Sequence, residues 1–347
     1  MIVERRMTGQ RLWGTHKSKD VLKEMLAMQA QEFAYAKWAL GQRTPGMTET
    51  MVDKAFAEGR ILRTHLMRPT WHFVGRDDIR WLVELTAPRI KPINAPYDRA
   101  NGLDQAVFSR ANALFERALS GGQHLERKQM RAILEADGME LSNMGLGLIL
   151  MRAELDRVIC SGAVSGKQQT YALLDLRAPG APSLPRDEAV AELARRYFTT
   201  RGPATLKDFA TWSGLTIADG RQGVGDAGID SEQIGGRTYW YTGKTTPAKV
   251  ASPRIDLVQI YDEIGMAYSE SRDVGILPGL DRPEPAYPHS ILLDGRLIGH
   301  WRRNLKGKSI TFDTQVFRRL DDAESDALEA AKERFLSFAG LARALPA

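Results

Sequence analysis

Two glutamines, Gln29 and Gln31, stand one residue apart in "EMLAMQAQEFAYAKW", residues 24–38. A primary amide donates and accepts hydrogen bonds and can orient a water, but it takes no proton from that water at neutral pH. Glu32, next in the chain, is the neighbouring group that can. The surrounding residues read as helix, in which positions i and i+2 lie about 200° apart around the axis. Two amides so placed face one ligand only if the helix is interrupted. Otherwise Gln29 and Gln31 are residues that cap helix ends or bond to backbone in a helix junction.

Other chemistries find no support. The six histidines, His16, His65, His72, His124, His289 and His300, form no H-E-x-x-H pair, and no serine sits in a G-x-S-x-G elbow. Cys160 is the one cysteine, which excludes an internal disulfide or a thiolate zinc cluster, and its neighbours in "LDRVICSG" mark it as core. "GVGDAG" (223–228) fits a nucleotide-binding glycine motif by letter, yet neither an apolar strand nor an apolar helix flanks it, so a turn is expected. "GKS" (307–309) lacks the first glycine of a phosphate-binding loop, a position held by Arg302. Neither a metal nor a cofactor is expected. A net charge of +5 over 347 residues favours an anionic partner without proving one. No signal-peptide stretch opens the chain and no long apolar run crosses it, which predicts a soluble, cytoplasmic protein.

The elements that must position the glutamines follow a grammar that occurs three times. Residues 19–40 and 48–58 carry apolar side chains at helical spacing, and "ILRTHLMRPTWHFV" (61–74) alternates Met67, Trp71 and Phe73 with Arg68, Thr70 and His72, as a half-buried strand pair does. Helices followed by a hairpin describe a winged helix, in which a helix can enter a DNA groove and the hairpin wing can touch backbone. The boundaries expected are a first winged helix at 1–75, a helical connection at 76–122, and further winged helices at 123–178 and 186–243. Short strand-like runs then read as an antiparallel sheet or barrel over 253–340, closed by a helix at 322–340. The fold class is therefore α+β.

On the first hairpin, Arg63, Arg68, Thr70 and His72 form either a phosphate contact or, on the other reading, a solvated strand face or an Arg and a His bonded internally to the wing. Arg302, Arg303, Lys306 and Lys308 lie in "DGRLIGHWRRNLKGKS", a basic turn between two strands that is either solvated or an extension of a phosphate-tracking surface. Trp38, Trp71 and Trp81 are assigned to the core, and the paired acids Asp262 and Glu263 to structure.

The segments "MQAQEFAYAKWALGQR", "ILRTHLMRPTWHFV", "LPRDEAVAELARRYFTTRGPATLKDFATWSGL" and "LDGRLIGHWRR" occur in this order and resemble the winged-helix DNA-binding family that includes the bacterial DNA glycosylases AlkZ and YcaQ. The resemblance covers nearly the whole chain. It implies a C-shaped molecule of three tandem winged helices and a C-terminal β-barrel, acting on alkylated double-stranded DNA in the nucleoid. By its Gln-x-Gln pattern it assigns Gln29 and Gln31 to the catalytic cleft. A purine alkylated at N7 is cationic and already a good leaving group, so neutral amides that orient water can suffice. The alternative is a noncatalytic winged-helix regulator. Because regulators usually dimerise on symmetric operators, three fused units in one chain favour a monomeric enzyme.

Overall fold

The computed structural model describes residues 2–14, 20–243, 246–277, 279–307 and 309–343. After α1 (Ile2–Gly9) the expected long helix is broken into three parts: α2 (Val21–Met25), β1 (Ala27–Gln29) and α3 (Phe33–Gln42). Leu26, at φ 68°, turns the chain out of α2. Next come α4 (Glu49–Ala57), whose first turn is capped by the Thr48 hydroxyl, and the hairpin β2 (Ile61–Leu66) and β3 (Thr70–Gly75). β1 adds to this hairpin as a third antiparallel strand in the order β1-β3-β2.

The connection is helical as expected, in α5 (Ile79–Ala100) and α6 (Gln105–Leu119). The second cycle contains β4 (Leu125–Glu126), α7 (Arg127–Ala136), α8 (Asn143–Leu155), β5 (Ile159–Ser161) and β6 (Thr170–Leu173), followed by the short α9 (Leu174–Arg177). The third contains α10 (Arg186–Arg201), α11 (Leu206–Ser213), α12 (Ile217–Asp226) and the hairpin β7 (Asp230–Ile234) and β8 (Arg237–Tyr241). The "GVGDAG" segment is mostly helix, not turn. A Cβ at Gly223 would stand 2.8 Å from the Ala194 Cβ, so glycine is what lets α12 approach α10 this closely.

The C-terminal part contains β9 (Ile255–Val258), α13 (Glu263–Met266), β10 (His289–Leu293), β11 (Arg296–Lys306), β12 (Ser309–Val316), α14 (Asp322–Ala339) and β13 (Ala342–Arg343). Its strands pair in the order β13-β12-β11-β10-β9, with β13 parallel to β12 and the rest antiparallel. The two end strands do not meet, so the expected barrel is an open sheet among the described residues. The reason is visible in its core. Ile291, Ile298, Trp301 and Ile310 are covered by Leu328, Phe335 and Leu336 of α14, and a sheet whose apolar face is covered by a helix need not close on itself.

The first sheet lies between two cores. Leu62, Leu66 and Val74 pack with side chains of α5, α10 and α11, while Met28 and Phe73 pack with α3, α4 and the C-terminal sheet. The polar side of the hairpin is therefore internal, which departs from the half-buried strand expected from its alternation. At the free edge of β1 two adjacent acids reach in different directions. Asp262 takes two hydrogen bonds from Arg43, at 2.6 and 3.0 Å, with both side chains buried. Glu263, fully buried, accepts from the Gln29 backbone N–H at 2.9 Å, from Arg201 at 2.7 and 2.9 Å, and from the Trp212 indole N–H at 2.8 Å.

Burial alone would raise the Glu263 carboxyl, but Arg201 and the Gln29 N–H hold it below the ordinary carboxylate range. Removing one member of a fully buried, fully bonded pair leaves the other charge without compensation. Glu263→Ala is expected to destabilise the fold by about 3–5 kcal/mol in denaturant unfolding. A loss under about 1 kcal/mol would show that the pair does not hold β1 in place.

Candidate functional site

The break in the helix removes the helical separation of the two glutamines. Gln29 ends the extended β1, and Gln31 lies in the bend that follows it. Gln29 is paired with His72 of β3, and the chain continues beyond it with the Ala30 N–H donating to the Trp71 carbonyl at 2.7 Å. The Gln31 side-chain oxygen accepts from the Trp71 N–H at 3.3 Å, so the amide stands in for the next backbone acceptor.

Arg68 fixes the other amide. Its guanidinium donates to the Gln29 Oε1 at 2.8 Å and to the carbonyls of Thr211 and Trp212, at 3.2 and 3.0 Å, at the C-terminal end of α11. Glycine follows at the point of contact: a Cβ on Gly214 would lie 2.3 Å from the Met67 carbonyl oxygen. Burial lowers the Arg68 pKa from its ordinary value. The polarity of both glutamines follows, because a guanidinium and a backbone N–H can only donate. Both amide oxygens are committed inward. Neither NH2 group has a hydrogen-bond partner among the described residues.

Arg63 lies behind this turn rather than on a free wing. It is buried, donates to the carbonyls of Ala30 at 2.9 Å and Gln31 at 3.3 Å, and stacks 4.2 Å from the centre of the Trp71 ring. Burial pushes its pKa down to about 10. His72 is fully enclosed, with Nδ1 3.0 Å from the Thr70 carbonyl. Burial, and then the Arg68 charge, push its pKa down to about 3, so it is neutral at physiological pH. The structure thus gives Arg63 and His72 internal partners where a phosphate contact was one of two expectations. Thr70 and Arg68 are partly exposed beside them.

The basic turn divides. Arg302 is exposed and paired across the strands with Asp313 at 2.8 Å, whereas Arg303 lies over the rings of Tyr35 and Phe335, at 4.9 and 5.2 Å. Strand alternation sends these neighbours to opposite sides. Lys306 ends β11, and Lys308 lies outside the described residues. Of the three tryptophans assigned to the core, Trp38 and Trp81 are buried and Trp71 is partly exposed. The Glu32 carboxylate lies 3.9 Å from the His289 Nε2 on β10. Burial raises its pKa.

Sequence reasoning missed the dependence of Gln29 on Arg68 and Glu263, which are 39 and 234 residues away along the chain. It treated the acids as structural, and they are, but their structural task is to hold the strand that carries the glutamine. Thr64, beside His72 and buried, was also passed over. Its place opposite His72, on the same side of the hairpin as Thr70, was the available signal.

A mixed α+β fold of small antiparallel sheets, with one amide at the end of an added strand and a second just beyond it, defines the class of molecule, and comparison with known proteins gives the family. The AlkZ-like DNA glycosylase family matches residues 22–338, and the chain belongs to it. It is similar to the interstrand DNA cross-link repair glycosylase of Streptomyces sahachiroi, with 22% identity over 303 residues, covering 82% of this chain and 81% of that protein. The solved structure of Streptomyces sahachiroi DNA glycosylase AlkZ matches with a TM-score of 0.80 at 20% identity, over 99% of this chain and 96% of that one. Family membership implies a DNA substrate. Among the described residues no helix is long and apolar enough to cross a membrane.

His72 gives the site a pH signature. The unfolded chain binds a proton at this residue below about pH 6.5, while the folded one does so only near 3, so stability falls as pH drops through that window. Across it, His72→Asn should flatten the dependence of unfolding free energy on pH by up to one proton. An unchanged slope would mean that the folded protein lets the imidazole charge.

Proposed function

We propose that the protein is a monofunctional DNA glycosylase that hydrolyses the N-glycosidic bond of cationic N7-alkylated purines in duplex DNA. The observation that carries this reading is the fixed polarity of Gln29 and Gln31: both oxygens are tied inward by obligate donors and both NH2 groups are unpartnered among the described residues. Two neutral donors cannot protonate a leaving base. A purine alkylated at N7 does not need them to, because its positive charge already draws the bonding electrons as the C1′–N9 bond breaks. What remains is to place the water and the sugar, a contribution of positioning and electrostatics.

In this reading the helix and hairpin groups at 1–75, 123–178 and 186–243 act as winged helices of a C-shaped monomer working on the nucleoid. The helices at 76–122 connect the first two. The sheet and helix at 253–340 bring the β11–β12 turn to the DNA. Arg302 and the lysines of that turn, Lys306 and Lys308, track phosphate, with Arg68 and Thr70 at the inner edge. Arg63 and His72 support the glutamines from behind. No cofactor or metal enters the reaction.

Incubation with a duplex bearing one N7-methylguanine, followed by alkaline cleavage of abasic sites, tests the activity. Wild type should release the base well above the spontaneous rate. In single turnover Gln31→Ala should be slower by roughly 10- to 1,000-fold, about 1.4–4 kcal/mol, with DNA affinity little changed. Tight duplex binding without release would leave a noncatalytic DNA-binding protein, and robust release by the variant would move the catalytic role elsewhere.

A further inference from the structure

The face of the sheet that carries Gln29 holds a second set of polar groups. His72 sits on the central strand with Gln29 opposite it on β1 and Thr64 opposite it on β2, and Thr70 lies two residues before it on the same strand. Directly opposed residues of antiparallel strands project to the same side with Cβ atoms about 4.5–5.5 Å apart. These side chains are therefore neighbours. The His72 Nε2, the Thr64 Oγ1 and the Thr70 Oγ1 are all buried and have no hydrogen-bond partner among the described residues. His72 and Thr64 are 0% and 1% exposed.

Their hydrogen-bond roles can be assigned. The Thr70 carbonyl at 3.0 Å only accepts, so His72 carries its proton on Nδ1 and presents a bare lone pair at Nε2. Gln29, its oxygen held by Arg68, presents two N–H donors. A hydroxyl both donates and accepts. An acceptor, a pair of donors and two hydroxyls, enclosed between two apolar cores, match a molecule that is small, neutral and able to donate and accept at once. A cation is disfavoured by the adjacent Arg68 guanidinium. An anion is disfavoured by the Nε2 lone pair and by the Glu263 carboxylate beyond β1. Buried polar groups without protein partners are commonly satisfied by ordered water making about three hydrogen bonds.

We propose that Gln29, Thr64 and His72 hold one ordered water within the first sheet, the water accepting from the Gln29 NH2 and donating to the His72 Nε2, and that this water keeps the Gln29 amide in its working orientation. His72 is then a positioning residue that acts through water on Gln29. The water site stands on the sheet geometry alone, and only its effect on rate rests on the glycosylase reading above. The arrangement also supplies what the glutamines lack. A water held by two NH2 groups alone has no acceptor for its own protons, and the His72 Nε2, on the residue opposite Gln29, is a free acceptor.

The test combines a structure with kinetics. A crystal structure of the full chain at about 1.5 Å resolution should show a water within hydrogen-bond distance of both the His72 Nε2 and the Gln29 amide nitrogen. Density without a water at that position overturns the proposal. Thr64→Val, nearly isosteric, should slow single-turnover release of N7-methylguanine about 3- to 10-fold, and His72→Leu by 10-fold or more, at unchanged DNA affinity. His72→Asn, which can again offer an acceptor, should recover part of the loss. Variants as fast as wild type, with the water present, would overturn the positioning role. If wild type releases no base, the glycosylase reading fails. The water would then be judged by the density, and its hold on Gln29 by whether the amide keeps its rotamer in crystals of Thr64→Val.

Discussion

The ion pair between Glu263 and Arg201 is the constraint from which the site's geometry follows. Both side chains are fully buried, and each makes a bond to the backbone of β1. Glu263 takes the outward N–H of Gln29, while Arg201 donates to the carbonyls of Met25 at 3.0 Å and Ala27 at 2.7 Å. Gln259 completes the edge by donating its amide to the Gln29 carbonyl at 3.3 Å. A three-residue strand on the edge of a sheet would ordinarily leave these groups for another strand to pair with. Here two charged side chains and an amide replace the missing strand. The extended backbone at Gln29 is held from both sides, by β3 and by this cluster, and the helix that the sequence would otherwise continue is displaced.

Three parts of the chain distant in sequence meet at that point. Arg201 ends α10, Glu263 opens α13, and Arg68 reaches from the first hairpin to the carbonyl end of α11, where the helix dipole favours a cation. Buried charges of this kind contribute little net stability compared with an apolar packing of equal volume, and their cost is desolvation. What they add is direction. A guanidinium accepts nothing, so wherever Arg68 sits its partners must turn oxygens toward it, and the orientation of the Gln29 amide is set by a residue on another element. The Gln29 donors that remain are left for another partner, on a backbone fixed on both edges.

Much of the architecture was legible in the chain. Helical readings located α4 and α14, and the alternation of 61–74 located the β2–β3 hairpin. The order of short motifs pointed to the family. The interruption at Gln29 was inferred only because two amides with one task cannot share a helix, and local propensity gave no sign of a strand there. Its causes, Arg201 and Glu263, are 172 and 234 residues away, and no local pattern encodes a pairing at such separation. The hairpin's polar side was open to two readings for a related reason. Period two says which residues share a face but not what covers it, and here the cover is α5, α10 and α11. The barrel was misread because strand-rich spacing does not distinguish a sheet that closes on itself from one capped by α14.

The same asymmetry explains why an amide rather than a carboxylate suits position 29. The surroundings of Gln29 already hold a buried carboxylate on its backbone N–H and a guanidinium on its side chain. A carboxylate at this position would form a tight ion pair with Arg68 and, with no NH2 group, would have no donor to offer. The amide satisfies the cation with its oxygen and keeps a donor in reserve. Gln31 repeats the arrangement with a weaker inward donor, the Trp71 N–H at 3.3 Å, and is the less buried of the two. Of the pair, Gln29 is built into the scaffold through backbone and side chain alike, and Gln31 is free to adjust.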